Sequence, residues 1–186
     1  MSRGPRLAYG LVEGWWLAAG VLLLAGCSTL PPATRTAGAE SFNGRLAVHI
    51  EPDGSSPPRS FTAAFDLEGS ATSGRLDLTT PLGTIVARAR WSPQSVTLVT
   101  PRGESSYPDL DTLTRDVIGE PLPVAALFDW LHGRPSPDEA AEPGLAPGTF
   151  AQLGWSVDLT RWTDDALLLA HRARPPAVDV RIKLDR

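Results

Sequence analysis

The sequence predicts a mainly β protein, an antiparallel sheet curled into a barrel or half-barrel with two helices across its concave face. Three observations carry this prediction. Apolar and polar residues alternate over five short stretches between Phe42 and Leu98, with Gly-, Pro- and Ser-rich turns between them, the pattern of an antiparallel meander. The period then becomes helical between Asp109 and Gly133, and alternation returns from Leu153 to Leu184. A sheet of that many strands twists, and its apolar face has to be covered. Incomplete packing under the helices would leave an apolar cavity, and a filled core is the alternative.

The chain opens with Arg3 and Arg6, then the apolar run Trp15–Ala25, then Gly26 and Cys27. Positive, apolar and small residues in that order read as a secretory signal peptide. The run is 11 residues long, against the roughly 20 that span a bilayer as a helix. Leu24-Ala25-Gly26-Cys27 resembles the lipobox of bacterial lipoproteins. That resemblance implies cleavage after residue 26 and lipidation of Cys27, the only cysteine of the chain. Ser28 to about Glu40 is rich in Pro, Ala, Thr and Gly and reads as a flexible tether. The expected organisation is therefore a signal peptide at 1–26, a lipidated cysteine and tether at 27–41, and one domain at 42–186.

Within the domain, Phe42, Leu46, Val48 and Ile50 face away from Asn43, Arg45 and His49. After turn material at 51–59, Phe61, Ala63, Phe65 and Leu67 alternate again, followed by Leu76 and Leu78. A Pro81-Leu82-Gly83 tip leads into Ile85, Ala87, Ala89 and Trp91, and then Val96 and Leu98. Asp109 can cap a helix carrying Leu110, Leu113 and Val117, with Gly119 past its end. Val124, Leu127, Phe128 and Leu131 form a second helical stripe, closed by Gly133. Trp130 lies off that stripe, so this helix is either covered on two sides or lines something apolar. Residues 134–148 read as a Pro/Gly/acid-rich surface loop. Leu153, Trp155, Val157 and Leu159 read as one strand, Leu167 and Leu169 as the next, and Val178, Val180, Ile182 and Leu184 as the last.

Removal of residues 1–26 leaves 160 residues with 15 basic and 20 acidic side chains, a balance that argues against nucleic acid. The domain has no cysteine, so it stands on hydrophobic burial without disulfides. His49, His132 and His171 have no partners at metal-ligand spacing, and neither a G-x-S-x-G nor a phosphate-binding glycine loop occurs. No metal, cofactor or catalytic activity is expected. The unusual residue is Leu82, an apolar side chain at a turn tip where polar residues are the rule. Its burial in lipid or in a partner would contribute only about 1.5–3 kcal/mol, and a harmless exposed leucine is the plainer reading.

Taken in order, several motifs form a set. They are Gly44-Arg45-Leu46-Ala47-Val48, Phe61-Thr62-Ala63-x-Phe65, Leu76-x-Leu78-x-Thr80-Pro81-Leu82-Gly83-Thr84, Leu122-Pro123-Val124-x-x-Leu127-x-x-Trp130-Leu131-x-Gly133-x-Pro135 and Gln152-x-Gly154-Trp155. With the lipobox, the set resembles the LolB family, outer-membrane lipoproteins that receive and insert other lipoproteins. The resemblance runs from about Phe42 to Leu184. It implies an unclosed antiparallel β-barrel with a helical lid over a hydrophobic cavity, in a monomer anchored to the outer membrane and facing the periplasm. It also implies that lipoproteins arrive from the periplasmic carrier LolA and that their acyl chains are held before insertion. On the same ground Leu82, with Pro81 and Gly83, becomes a candidate membrane-insertion loop. Ser28 fits, because Asp there retains lipoproteins at the inner membrane in the family's sorting logic. The chain departs from the family pattern in ending at Arg186, soon after the last strand, and in the loop at 134–148. Expected acyl-cavity residues are Leu46, Val48, Phe65, Leu76 and Leu78 from the strands, and Leu127, Phe128, Trp130 and Leu131 from the lid. Alternation alone leaves either sheet face free to be the concave one. A lipid-binding or assembly lipoprotein of the same fold, without transfer activity, is the alternative.

Overall fold

The alternating segments pair into one antiparallel sheet of eleven strands, seen in a computed structural model that describes residues 40–52 and 57–186. The signal peptide, Cys27 and the tether up to residue 39 lie outside the described residues, whereas Glu40 and Ser41, expected as its end, are already paired in the first strand. The first five strands are β1 (Glu40–Ile50), β2 (Arg59–Gly69), β3 (Gly74–Thr79), β4 (Ile85–Ser92) and β5 (Ser95–Thr100), at the positions alternation predicts. A sixth, β6 (Gly103–Tyr107), was not predicted. Its sequence GESSY has no apolar face, because it lies at the sheet edge.

Helix α1 (Leu110–Ile118) starts where Asp109 accepts a hydrogen bond from the Thr112 amide at 2.6 Å. It stops at Gly119, whose φ of 92° is left-handed. Helix α2 (Val124–Trp130) follows. The remaining strands are β7 (Ala141–Pro143), β8 (Thr149–Gln152), β9 (Trp155–Asp158), β10 (Leu167–Arg172) and β11 (Val178–Leu184), with the single turn α3 (Trp162–Asp165) between β9 and β10.

Three expectations change here. Residues 134–148 are not wholly loop, because β7 adds an edge strand to β8. Alternation across Gln152–Leu159 is not one strand but the hairpin β8–β9. Leu153 (φ 54°) and Gly154 (φ 78°) make its turn, a left-handed pair that periodicity does not reveal. In β10 the side chains on the core face are Leu168 and Ala170, opposite Ile182 and Val180, rather than Leu167 and Leu169. Three consecutive leucines carry no parity of their own.

The strand order is β6-β5-β4-β3-β2-β1-β11-β10-β9-β8-β7. The first and last strands of the domain are therefore neighbours inside the sheet, paired from Gly44–Leu184 to Ile50–Val178. The closing strand is present, with β11 paired to β1 as far as Leu184. Nothing pairs β6 to β7, so the sheet stays open, as an unclosed barrel requires. The even residues of β1 and the odd residues of β2 line the inner face, with Trp91, Leu98, Val180 and Ile182.

The outer face is polar. There Arg88 grips the buried Asp77 with two bonds of 2.5 and 2.6 Å, and Arg75 flanks the pair. That bidentate grip, reinforced by the charge of neighbouring arginines, holds the Asp77 carboxyl below its ordinary pKa.

Candidate functional site

Between the inner face of β1–β5 and the two helices lies an apolar cavity of about 390 Å³. The sheet contributes Leu46, Phe65, Leu67, Leu76, Leu78, Ala89 and Trp91, and the roof contributes Leu110, Leu113, Val117, Leu127, Phe128 and Leu131. Thr114 is the one polar side chain in the lining, and its hydroxyl is already used. It donates to the Asp111 carbonyl at 3.2 Å and accepts from the Leu122 amide at 3.1 Å. A site with no free polar group selects for hydrocarbon and against anything that must hydrogen-bond.

The predicted lining residues divide. Leu46, Phe65, Leu76, Leu78, Leu127, Phe128 and Leu131 line the cavity. Val48 belongs to the inner face but is packed beside Phe61 and Val180, outside the cavity. Trp130 is wholly buried on the other side of α2, edge-on to Phe150, with its indole N–H donating to Gln152 Oε1 at 2.8 Å. Both readings of that helix hold, because Trp130 is covered on one side while Leu127 and Phe128 line the apolar cavity on another. The contribution of α1 was missed, although its stripe of Leu110, Leu113 and Val117 was visible in the sequence and carried the necessary signal.

Two contacts hold the roof at opposite ends. The link from α1 to α2 is held by Glu120, which accepts a 2.6 Å bond from the buried Arg172 of β10. Arg172 also donates to the Pro176 carbonyl at 3.1 Å and lies 5.6 Å from the Trp155 ring centroid. Just past α2, His132 sits 3.1 Å from Glu40 and packs edge-on against Phe42 at the start of β1.

The Pro81-Leu82-Gly83 tip is a tight turn. The Gly83 amide donates to the Thr80 carbonyl at 2.9 Å, with Pro81 supplying the fixed φ and Gly83 the left-handed one, 82°. Thr84 closes the loop through its amide to Thr80 Oγ1 at 3.2 Å. This frame holds Leu82 outward at 94% exposure. Cys27 lies outside the described residues.

The histidines occupy other surroundings. His49 lies 2.6 Å from Ser60 and 3.3 Å from Glu51, and His171 lies 2.8 Å from Asp179, all on the outer sheet face in water. Among the described residues no cluster of His, Cys, Asp and Glu could hold a metal.

An open sheet roofed by helices over an apolar cavity defines a carrier of apolar ligands. The family model described as outer membrane lipoprotein LolB matches residues 41–186. An outer-membrane lipoprotein LolB of Bordetella petrii is 35% identical over 86% of this chain and 85% of its own length. That of Cupriavidus necator is 30% identical over 100% of this chain and 98% of its own, and that of Bordetella pertussis 35% over 92% and 90%. The chain belongs to the LolB family of outer-membrane lipoproteins. No helix among the described residues is long and apolar enough to cross a membrane.

Proposed function

We propose that the protein, tethered to the outer membrane through lipidated Cys27, takes lipoproteins from a LolA-like carrier. It holds their acyl chains in the cavity and inserts them into the outer membrane as a monomer. The observation that carries this reading is the cavity itself, closed to polar chemistry and set between the sheet and the two helices. Each methylene of a chain buried there contributes about 0.8 kcal/mol, enough to keep an acyl group out of water between two hosts. Transfer in one direction needs only differential affinity. The receptor must bind the cargo more tightly than the carrier does and less tightly than the bilayer. Leu82 is the group that meets the bilayer at the insertion step. Its small gain in burial suits a transient touch rather than permanent anchoring.

The test is transfer of a labelled lipoprotein from the loaded carrier into phospholipid vesicles, with and without the protein. The expected result is that cargo leaves the carrier and appears in the vesicles only when the protein is present. Binding of a fluorescent fatty acid without any cargo transfer would instead identify a lipid-binding lipoprotein of the same fold.

A further inference from the structure

We propose that the cavity has one mouth, between Val86 and Val117 at the Leu82 end of the sheet, and that acyl chains enter and leave through it. The proposal rests on the acyl-holding reading above and adds the passage.

The first observation is a β-bulge. Leu78 pairs with Ala87 and Thr79 with Ile85, which leaves Val86 as the extra residue of β4. In a regular strand, consecutive side chains point to opposite faces, so Val86 would lie on the outer face if Ala87 lies on the inner one. Both line the cavity. The inserted residue re-aims Val86 inward, as bulges do.

The second observation is exposure. Val86 and Val117 are 38% and 50% exposed, although both belong to the cavity lining. They are at once wall and surface, which is the property of a rim.

The third observation is position. Val86 follows Ile85, itself exposed, two residues after the turn that holds Leu82. Val117 lies in the last turn of α1, whose terminal Gly119 packs against Arg59 at the start of β2. Antiparallel pairing of β2 with β3 puts that start at the same end of the sheet as the β3–β4 turn. The other end is closed by His132 against Glu40 and Phe42. An apolar track therefore runs from the cavity past Val86 and Ile85 to Leu82. Its occupant is a hydrocarbon chain, because the one polar side chain of the lining is already satisfied. The polar end of the lipid stays outside the rim.

A group that acts only on passage changes entry and exit rates by the same factor and leaves the equilibrium alone. A residue that is only wall changes the affinity, and one that is both wall and rim changes the rates by more than the affinity. The experiment measures stopped-flow uptake and release of a fluorescent C16 fatty acid by the full-length protein and its variants Val117→Trp, Val86→Trp and Val86→Ala. Leu145→Trp serves as control, at the exposed β7–β8 turn at the opposite end of the sheet. The two tryptophans are expected to slow both rates about tenfold, the alanine to speed both, and the control to change neither. Because Val86 and Val117 are also wall, Kd is expected to change, but by clearly less than either rate. Val117→Trp sits on an exposed helix position, so it keeps the test valid if Val86→Trp fails to fold. Probe uptake with rates insensitive to the substitutions, or a change in Kd as large as the change in rate, overturns the mouth while leaving the cavity as an acyl site. Absence of uptake by the unsubstituted protein overturns the acyl-holding reading as well.

Discussion

Gln152 uses its whole amide. It is 2% exposed, accepts from the Trp130 indole and the Ser136 amide, and donates to the carbonyls of Ser136 and Glu139. Four bonds from one side chain stitch the end of α2 and the following loop to β8. Replacement by leucine strands those partners in a dry interior, so Gln152→Leu is expected to cost about 2–4 kcal/mol, read from urea denaturation. Trp130→Phe should cost less, since Oε1 keeps the Ser136 amide. This motif was visible as Gln152-x-Gly154-Trp155, but its partner 22 residues upstream was not, because periodicity says nothing about which buried polar groups meet. Leu82 is the opposite case, since its oddity is local and was legible at once. Leu82→Glu is expected to leave acceptance of cargo intact and to abolish its appearance in vesicles. Unchanged incorporation would reduce Leu82 to a turn residue.

At the scale of elements, β3 and β4 are joined on the outer face by Asp77 and Arg88. The depressed pKa of Asp77 fixes the sign of a pH effect. The stability it contributes is fully present above the ordinary carboxylate value and is lost as pH falls through the lower folded value. The protein should therefore lose stability below about pH 4, and Asp77→Asn should flatten that part of the curve in denaturation at stepped pH. The helix pair is held differently. Glu120 is the carboxylate that answers buried Arg172, whose Nε has no protein partner. Glu120→Ala leaves a buried guanidinium uncompensated and is expected to cost about 3–5 kcal/mol in the same denaturation assay. Cap and stop signals made α1 and α2 legible, because Asp109 and Gly119 act within one turn of chain. The edge strands β6 and β7 were not legible. An edge strand has little apolar face to print on its sequence, and β7 spends its three residues on Ala141, Glu142 and Pro143.

Over the whole molecule, alternation identified most of the strands, and the curled sheet under helices followed from the need to cover one face. Neighbour relations beyond the hairpins did not follow, because pairing between β1 and β11 joins residues more than a hundred positions apart. The inner face became definite only with that pairing, which aligns Leu46 with Ile182 and Val48 with Val180. The same strand pair has a consequence for how the protein is made. The centre of the sheet contains the segment of the domain that leaves the translocation channel last. Until Val178–Leu184 arrives, β1 offers a row of unsatisfied amides and carbonyls, and the two wings, β2–β6 and β7–β10, have nothing to join them. Slow closure of so distant a contact, with an edge exposed meanwhile, is the condition under which strands pair with the wrong chain. A chain truncated after Arg174 is expected to aggregate rather than fold, read by sedimentation and loss of the native β-sheet signal. The nascent protein would then depend on protection by a chaperone before it can offer any to its cargo.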